Sequence, residues 1–536
     1  MCFRMNVWIC FVAFLLSLVC NLSGIANFAM VGAIGSNGWN GRAYCSNGEH
    51  CDAYRQIVEE NLPKGYDLYF CIGEDCSLDP VDRATHLALS WERSPVPVRY
   101  GDAAGAAGAS AIVASRYLEK QFYGYVPVSI NRSAVLWIKE EALDEVKDKC
   151  YIGHEVSPLC EFVGTGVICL LIVGFVWALT HGEVKLGLIP FVIASVFFCI
   201  VGGFSLTHTF FSPTGLGVYG GKARLFFLSG GIPSGFFVDA AYSSYQPAYP
   251  PILTLLTVLS YVVSGGCGEW ITQLLEVFAA SMVFCVSLAT VWPGRIASVF
   301  LVSALFLSEL SFVVSSLYYA EPLMALLAVI GFIKVSERPD DWCGWIVMGA
   351  SGLVKVEGVV IFGAMSFAIL ICNLIRVGGA MSKWHVLFSI GSRAAVAAIV
   401  PIAWFAAVGC AGASFYDYAL DSVDIGKFLD AFAYMLYCAF VDAWQYAFIY
   451  PLMAIALIQG VVHKKRLPSR LIVAFVFVPL CLLGFASIYS LSTANDFEWL
   501  LKTSADRLLW TPGILLAICL LRGNRVRAES GIPCAN

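Results

Sequence analysis

The sequence predicts an all-α polytopic membrane protein of about 11–13 transmembrane helices, with a small mixed domain outside the cytoplasm near its N-terminus. Hydrophobic residues make up 59% of the 536 positions and charged residues 13%, whereas roughly 25% of an ordinary soluble domain is charged. Mean hydropathy is +0.76. From Phe162 onward the apolar residues come in runs long enough to cross a bilayer, separated by short polar joints. The net charge of -5 is spread along the chain without a basic stripe, so nothing points to nucleic acid as a partner.

Taken in order, Arg4 and the apolar run Val7 to Cys20 predict a signal anchor or first transmembrane helix within residues 1–35. Residues 36–160 mix Gly, Asp, Glu, Lys and Tyr and form the one candidate extracytoplasmic domain. Six of the 20 cysteines, Cys45, Cys51, Cys71, Cys76, Cys150 and Cys160, are in or at the edge of this polar stretch, which suggests disulfides and an oxidising compartment. Their spacing does not form a zinc pattern, because no C-x-x-C pair recurs beside a second pair or a His pair. The segment GDAAGAAGASAIVASRYLEKQFYGY reads as a loop leading into a helix. Asn21 and Asn131 each open a glycosylation-type triplet.

Residues 161–527 are read as the membrane domain and 528–536 as a cytoplasmic tail. Spans are predicted near 162–180, 186–204, 250–265, 270–291, 296–316, 322–334, 343–375 (one long helix or two short ones), 385–412, 431–461, 470–490 and 507–521. The joints holding Lys334 and Arg338, Arg376 and Lys383, the run HKKRLPSR, and the tail arginines Arg522, Arg525 and Arg527 predict the cytoplasmic side. The loop 205–249, the joint Tyr318 to Glu321, the loop 413–430 and the segment 491–505 then face the other way. Three full crossings between 250 and 316 cannot join two points on the outer side. The segment 250–265 is therefore expected to enter the membrane and turn back.

Ionisable groups at membrane depth cost roughly 2.5–3.5 kcal/mol each on insertion scales, so those that remain are candidates for function. On the outer side these are His208, Lys222, Arg224 and Asp239 in the loop 205–249, then Glu321, Lys355, Glu357, Asp496, Glu498, Asp506 and Arg507. Each also has a structural explanation. Glu321 before Pro322 suits the first turn of a helix, Lys355 and Glu357 can neutralise one another, and Asp506 with Arg507 can anchor the start of the last helix. Tyr219, Tyr242, Tyr245 and Tyr249 offer sugar-stacking surfaces or an interfacial aromatic belt. No Walker loop, nucleophile elbow, zinc-protease helix or dinucleotide fingerprint is present.

The runs GGKARLFFLSGG, YQPAYPPILTLL, YYAEPLMALLAV, GLVKVEGVVIF and NDFEWLLKTSADRLLWTPGILLAI, in this order from about residue 205 to 525, resemble successive motifs of GT-C class membrane glycosyltransferases, the bacterial dolichyl-phosphate mannosyltransferase-like and aminoarabinose-transferase-like proteins. The resemblance implies a GT-C-like fold in the bacterial inner membrane and an active site facing the periplasm. Its donor would be a polyprenyl-phosphate sugar, its acceptor a glycan, lipid or protein, with membrane lipids around it. It fixes no cofactor and leaves room for a divalent metal. The implied reaction needs a carboxylate to take the acceptor's proton and cations to hold the departing phosphate. Asp239 and Glu321 are the candidate carboxylates; Lys222, Arg224, Lys355 and Arg507, with Tyr249, are the candidate phosphate and substrate contacts. One departure stands out. Where similar proteins carry an acid before the Lys-Ala-Arg run, this chain reads SPTGLGVYGGKAR, with Thr214 or Gly215 at the place. Asp239, an acid from residues 36–160, or loss of the activity are the three ways to read it. A lipid-linked-sugar transporter and a non-catalytic scaffold are the rival functions.

Overall fold

The structure, a computed structural model, describes residues 68–71, 98–101, 111–115, 125–130, 134–139, 158–180, 184, 187–207, 214–238, 242, 245–265, 273–291, 296–316, 318–377, 380–413, 423–462, 468–492 and 497–521. The expected first anchor, four of the six cysteines, His208, Asp239, Asp496 and the two glycosylation-type asparagines lie outside the described residues.

Within residues 36–160, five strands form one mixed sheet: β1 (Leu68–Cys71), β2 (Val98–Gly101), β3 (Ala111–Ser115), β4 (Tyr125–Ile130) and β5 (Ala134–Lys139), in the order β2-β1-β3-β5-β4. β1 runs parallel to both β2 and β3, while β5 runs antiparallel to β3 and β4. The expected loop-to-helix segment is strand at Ala111–Ser115 instead. Ile112 and Val113 are wholly buried there, and β-branched residues suit a strand with neighbours on both edges better than they suit a helix. Pro127, which cannot donate to a ladder, sits on the edge strand β4 beside a bulge.

The rest is helical: α1 (Pro158–Thr180), α2 (Leu188–Thr207), a π-helical stretch Thr214–Gly221 running into α3 (Lys222–Leu228), α4 (Ile252–Ser264), α5 (Leu274–Val291), α6 (Ile296–Phe306), α7 (Glu309–Ser316), α8 (Glu321–Glu337), α9 (Trp342–Ala350), α10 (Glu357–Arg376), α11 (Ala380–Cys410), α12 (Ile425–Phe440), α13 (Ile449–Val462), α14 (Ser469–Ser490) and α15 (Phe497–Leu521). Six of these are long and apolar enough to cross a membrane, namely α2, α5, α10, α11, α14 and α15, and the stretches Thr165–Thr180, Ile252–Ser264, Trp342–Leu353 and Ile449–Gly460 are shorter apolar helical segments. The chain is a polytopic membrane protein. One continuous core runs through most of the helices. α5 and α8 lie at its centre, whereas Phe388, Ile399 and Ile402 of α11 are turned outward, as befits a helix solvated by lipid.

Two predicted spans are broken, and the 343–375 run takes the two-helix form of its two expected alternatives. The 296–316 run divides into α6 and α7 at Leu307 and Ser308, where the Ser308 and Ser311 hydroxyls both donate to the Leu305 carbonyl. The 343–375 run is two helices joined by a tip at 351–356, where Gly358 packs so closely on the Ser351 carbonyl that no Cβ would fit. The 431–461 run is α12 and α13, parted by left-handed Ala447 and Phe448. Each break is paired internally, because backbone groups freed inside lipid have no water to turn to.

The helix ends sort into two polar layers. At one end, called here the basic end, Lys334 pairs with Asp341 at 3.2 Å and donates to the Leu179 carbonyl at 2.9 Å, and Arg470 approaches Glu337 at 3.9 Å. At the other end Ser205 donates to Gln273 at 3.3 Å, the Glu276 carboxylate accepts from the Leu323 N–H at 3.3 Å, and Thr257 bonds Tyr318. The first half of α4 and the start of α5 therefore share one end. α4, at 13 residues, is about 20 Å long, short of the roughly 30 Å of a bilayer core, and left-handed Gly265 (φ 76°) stops it. The return expected of this segment would run through residues 266–272, which lie outside the described residues.

Candidate functional site

The end of the bundle opposite the basic layer holds a buried ion cluster. Glu321 opens α8 and is 1% exposed. Its Oε1 receives the Lys355 ammonium at 2.9 Å and Nη1 of Arg507 at 3.4 Å. The same ammonium lies 3.4 Å from Oε1 of Glu357, in the first turn of α10. Two cations thus serve two carboxylates, and one of the carboxylates holds both.

Local structure explains how these four residues meet. α9 and α10 form a hairpin, and Lys355 is carried on its tip between Ser351 and Gly358. α8 packs tightly on α9, with the Met348 N–H group only 2.6 Å from where a Cβ on Gly331 would stand. That approach brings the tip under the start of α8. Arg507 comes from α15, ten residues after Phe497, which is about 15 Å along the helix axis. The expectation that Asp506 and Arg507 begin the last helix is therefore corrected. The polar run NDFEWLLKTSAD masked the first turns of α15, and the pair sits deep in it.

Neighbours complete the site. The Arg507 guanidinium lies over the Tyr319 ring, 3.9 Å from its centroid, a stacked cation contact. Glu276 of α5, itself 1% exposed, is within electrostatic reach of Glu321. Tyr219, wholly buried on the π-helical stretch, is within reach of Glu276, Glu321, Glu357 and Arg507. Asp506 accepts from the Arg507 backbone N–H at 2.7 Å. Among the described residues, Oε2 of Glu321, Oε2 of Glu357 and the Tyr219 hydroxyl are buried without a hydrogen-bond partner. At the same end an open depression of about 740 Å³ is lined by Asp424, Lys427, Ser490 and Ser492 among others.

Of the sequence candidates, the structure brings Glu321, Lys355 and Arg507 together. It does not bring Lys222 or Arg224 into the cluster. Lys222 is 2% exposed, and its ammonium donates to the backbone carbonyls of Gln246 and Tyr249 at 3.1 and 3.4 Å. It ties α3 to the turn before α4, and burial pushes its ammonium down to about 7. Arg224, two residues on, points roughly 200° around the helix from Lys222 and is close enough to Tyr245 to interact with it. Tyr242 and Tyr245 are 7% and 1% exposed and pack with Phe226 and Phe236 as a small aromatic core, so they do not stand free as sugar platforms. Tyr249 contributes its carbonyl. Asp239 lies outside the described residues, and no group of three or more His, Cys, Asp or Glu is placed to hold a metal among the described ones.

Sequence reasoning missed Glu276 and Tyr319. Glu276 falls inside a predicted span, ITQLLEVFAA, and a lone acid there was the available signal. Comparison with protein-family models, with curated proteins and with solved structures finds no match for this chain.

Proposed function

We propose that the chain is a membrane glycosyltransferase of the GT-C type, which moves a sugar from a polyprenyl-phosphate donor to an acceptor on the non-cytoplasmic side. The observation that carries this reading is the convergence of Lys355 and Arg507, from separate helices, on one buried carboxylate. Cations fixed beforehand at a site shielded from water stabilise a phosphate as it leaves far better than mobile surface lysines do. Glu321 takes the part of a positioning residue, holding both cations on its Oε1. In the reaction the acceptor hydroxyl attacks the anomeric carbon and the bond from that carbon to the phosphate oxygen breaks. The negative charge passes to the phosphate beside Arg507 and Lys355. The acceptor's proton goes to a carboxylate, for which Asp239 is the candidate.

The basic end, rich in Lys and Arg, belongs in the cytoplasm by the positive-inside rule, which turns the ion cluster outward, toward the periplasm of a bacterial inner membrane. The sheet-bearing domain of residues 36–160 would meet the acceptor. The test is release of polyprenyl phosphate from a polyprenyl-phosphate sugar by the purified protein in the presence of a glycan or lipid acceptor. Absence of release with every acceptor class, from a protein that binds the donor, removes the transferase reading.

A second reading is favoured by the broken helices. Paired discontinuous helices around a charged site are the build of carriers, so movement of the intact lipid-linked sugar across liposomes, without release of phosphate, would point to a transporter.

A further inference from the structure

We infer that binding of an anionic phosphodiester at Lys355 and Arg507 is coupled to the uptake of one proton by the Glu321–Glu357 pair. The inference rests on the phosphate-binding reading above and adds a chemical consequence to it. Its basis is a charge count in a closed space. Glu321 and Glu357 on one side and Lys355 and Arg507 on the other form a quartet with no net charge, and their side chains are only 1%, 9%, 7% and 12% exposed respectively. A phosphodiester brings one negative charge and competes for both cations. The two carboxylates then share their cations with a third anion in a place where unpaired charge is expensive.

Among the described residues, no other cation is at hand to compensate. The groups facing the quartet are Tyr219 from the π-helical stretch, Glu276 from α5, Tyr319 before α8, Tyr489 from α14 and Asp506 from α15. They are phenols and acids. Glu276, whose carboxyl oxygen accepts from the Leu323 N–H, brings no positive charge. The second oxygens of Glu321 and Glu357 are buried and lack any donor among the described residues, as does the Tyr219 hydroxyl nearby. A proton arriving from solvent has an oxygen ready to take it, and once protonated that carboxyl can donate a hydrogen bond to the neighbouring oxygens. The balance is simple. A neutral quartet, one phosphodiester anion and one proton give a neutral bound complex.

The experiment uses the full-length protein in detergent micelles and methyl farnesyl phosphodiester, a probe with no titration of its own near neutrality. Binding heats are measured at one pH in buffers of different ionisation enthalpy, which gives the number of protons exchanged. The expected result is uptake of about one proton per probe bound, with affinity rising about tenfold for each unit by which pH falls across the working range. In Glu357→Gln the uptake should fall by at least half while the probe still binds. Glu498→Gln, in an exposed pair with Lys502, should leave it unchanged and serves as the control. Binding with no proton uptake in the wild type overturns the coupling and leaves the phosphate reading standing. Uptake that persists in full in both Glu321→Gln and Glu357→Gln assigns the proton elsewhere and overturns it too. Failure of the folded wild-type protein to bind the probe at all overturns the phosphate reading and the coupling together.

Discussion

Replacing Lys355 with methionine keeps most of the side-chain length and removes the one ammonium that both Glu321 and Glu357 touch. At 2.9 and 3.4 Å, each of these pairs is worth about 5 kcal/mol of attraction at an effective dielectric constant of roughly 20. Most of that is offset in the wild type by the several kcal/mol needed to strip water from each buried ion. The variant retains the cost for the two carboxylates and loses the attraction, so Lys355→Met should be destabilised by about 3–5 kcal/mol. Removing a negative charge in the same place reverses part of this. Glu357→Gln added to Lys355→Met should recover about 1–3 kcal/mol, a coupling of the size that contacting charges give in double-mutant cycles. Equilibrium unfolding in mixed micelles measures it, with the wholly buried Trp345 and Trp510 as fluorescent reporters. If Lys355→Met lies within about 1 kcal/mol of the wild type, or if the two substitutions are simply additive, the cluster is not the closed, charge-balanced unit described above.

Arg507→Ala should abolish release of polyprenyl phosphate, and Arg507→Lys, which keeps the charge but not the planar stack on Tyr319, should lower it by about 100-fold; full activity in either removes Arg507 from the reaction. Gly358→Ala should cost about 1–3 kcal/mol because its methyl group would overlap the Ser351 carbonyl at the hairpin tip, whereas Gly363→Ala, with open space around it, should be neutral or stabilising; equal effects in unfolding experiments would count against the tight tip. Lys222 makes stability depend on pH with a definite sign. Its ammonium is pushed by burial down to about 7 from an ordinary 10.5, so above pH 7 the unfolded chain holds the extra proton and stability rises with pH up to about 10. Below pH 7 both states are protonated and the burial cost is present in full. The stability of wild type relative to Lys222→Met should therefore improve between pH 7 and 10, and a difference that is flat with pH would show that Lys222 is not held as described.

The composition and the spans made the membrane fold legible, because a run of apolar residues of bilayer length has few other uses. The helix breaks were less legible, since nothing in the run IASVFLVSALFLSELSFVVSS marks Ser308 as a place where the chain turns, and serine in an apolar helix more often just bonds back to its own backbone. Glu321, Lys355 and Arg507 could be nominated from cost alone, but their partnership could not, because they are 34 and 186 residues from Glu321 along the chain. The same reasoning nominated Lys222 on its charge and its place in a motif. It could not see that two backbone carbonyls, released by the left-handed turn at Gln246 (φ 45°), already occupy that ammonium. Residue type says what a group is able to do, and only packing says whether it is already engaged.

The three helix breaks, unrelated in sequence, converge on a short stretch of α15. The Tyr446 hydroxyl, from the turn between α12 and α13, donates to the Asp506 carbonyl at 2.8 Å, and Tyr450 donates to that of Leu509 at 2.7 Å. The Trp510 indole donates to Ser311, at the break between α6 and α7, at 2.6 Å. Arg507 reaches the Glu321 carboxylate that also holds Lys355, from the tip between α9 and α10. A purely structural ion pair has no need of this. Four charges could neutralise one another between four straight helices at much smaller cost than interrupting three helical segments inside lipid, where every freed backbone group must find a partner. Irregular backbone at membrane depth is tolerated chiefly where it is buried in protein or lines a cavity. Here it surrounds the two cations and two carboxylates of the buried cluster. The packing of α15 between residues 506 and 510 therefore couples the breaks to the charges, and substitutions at Tyr446 or Ser311 should disturb the site even though neither residue carries a charge.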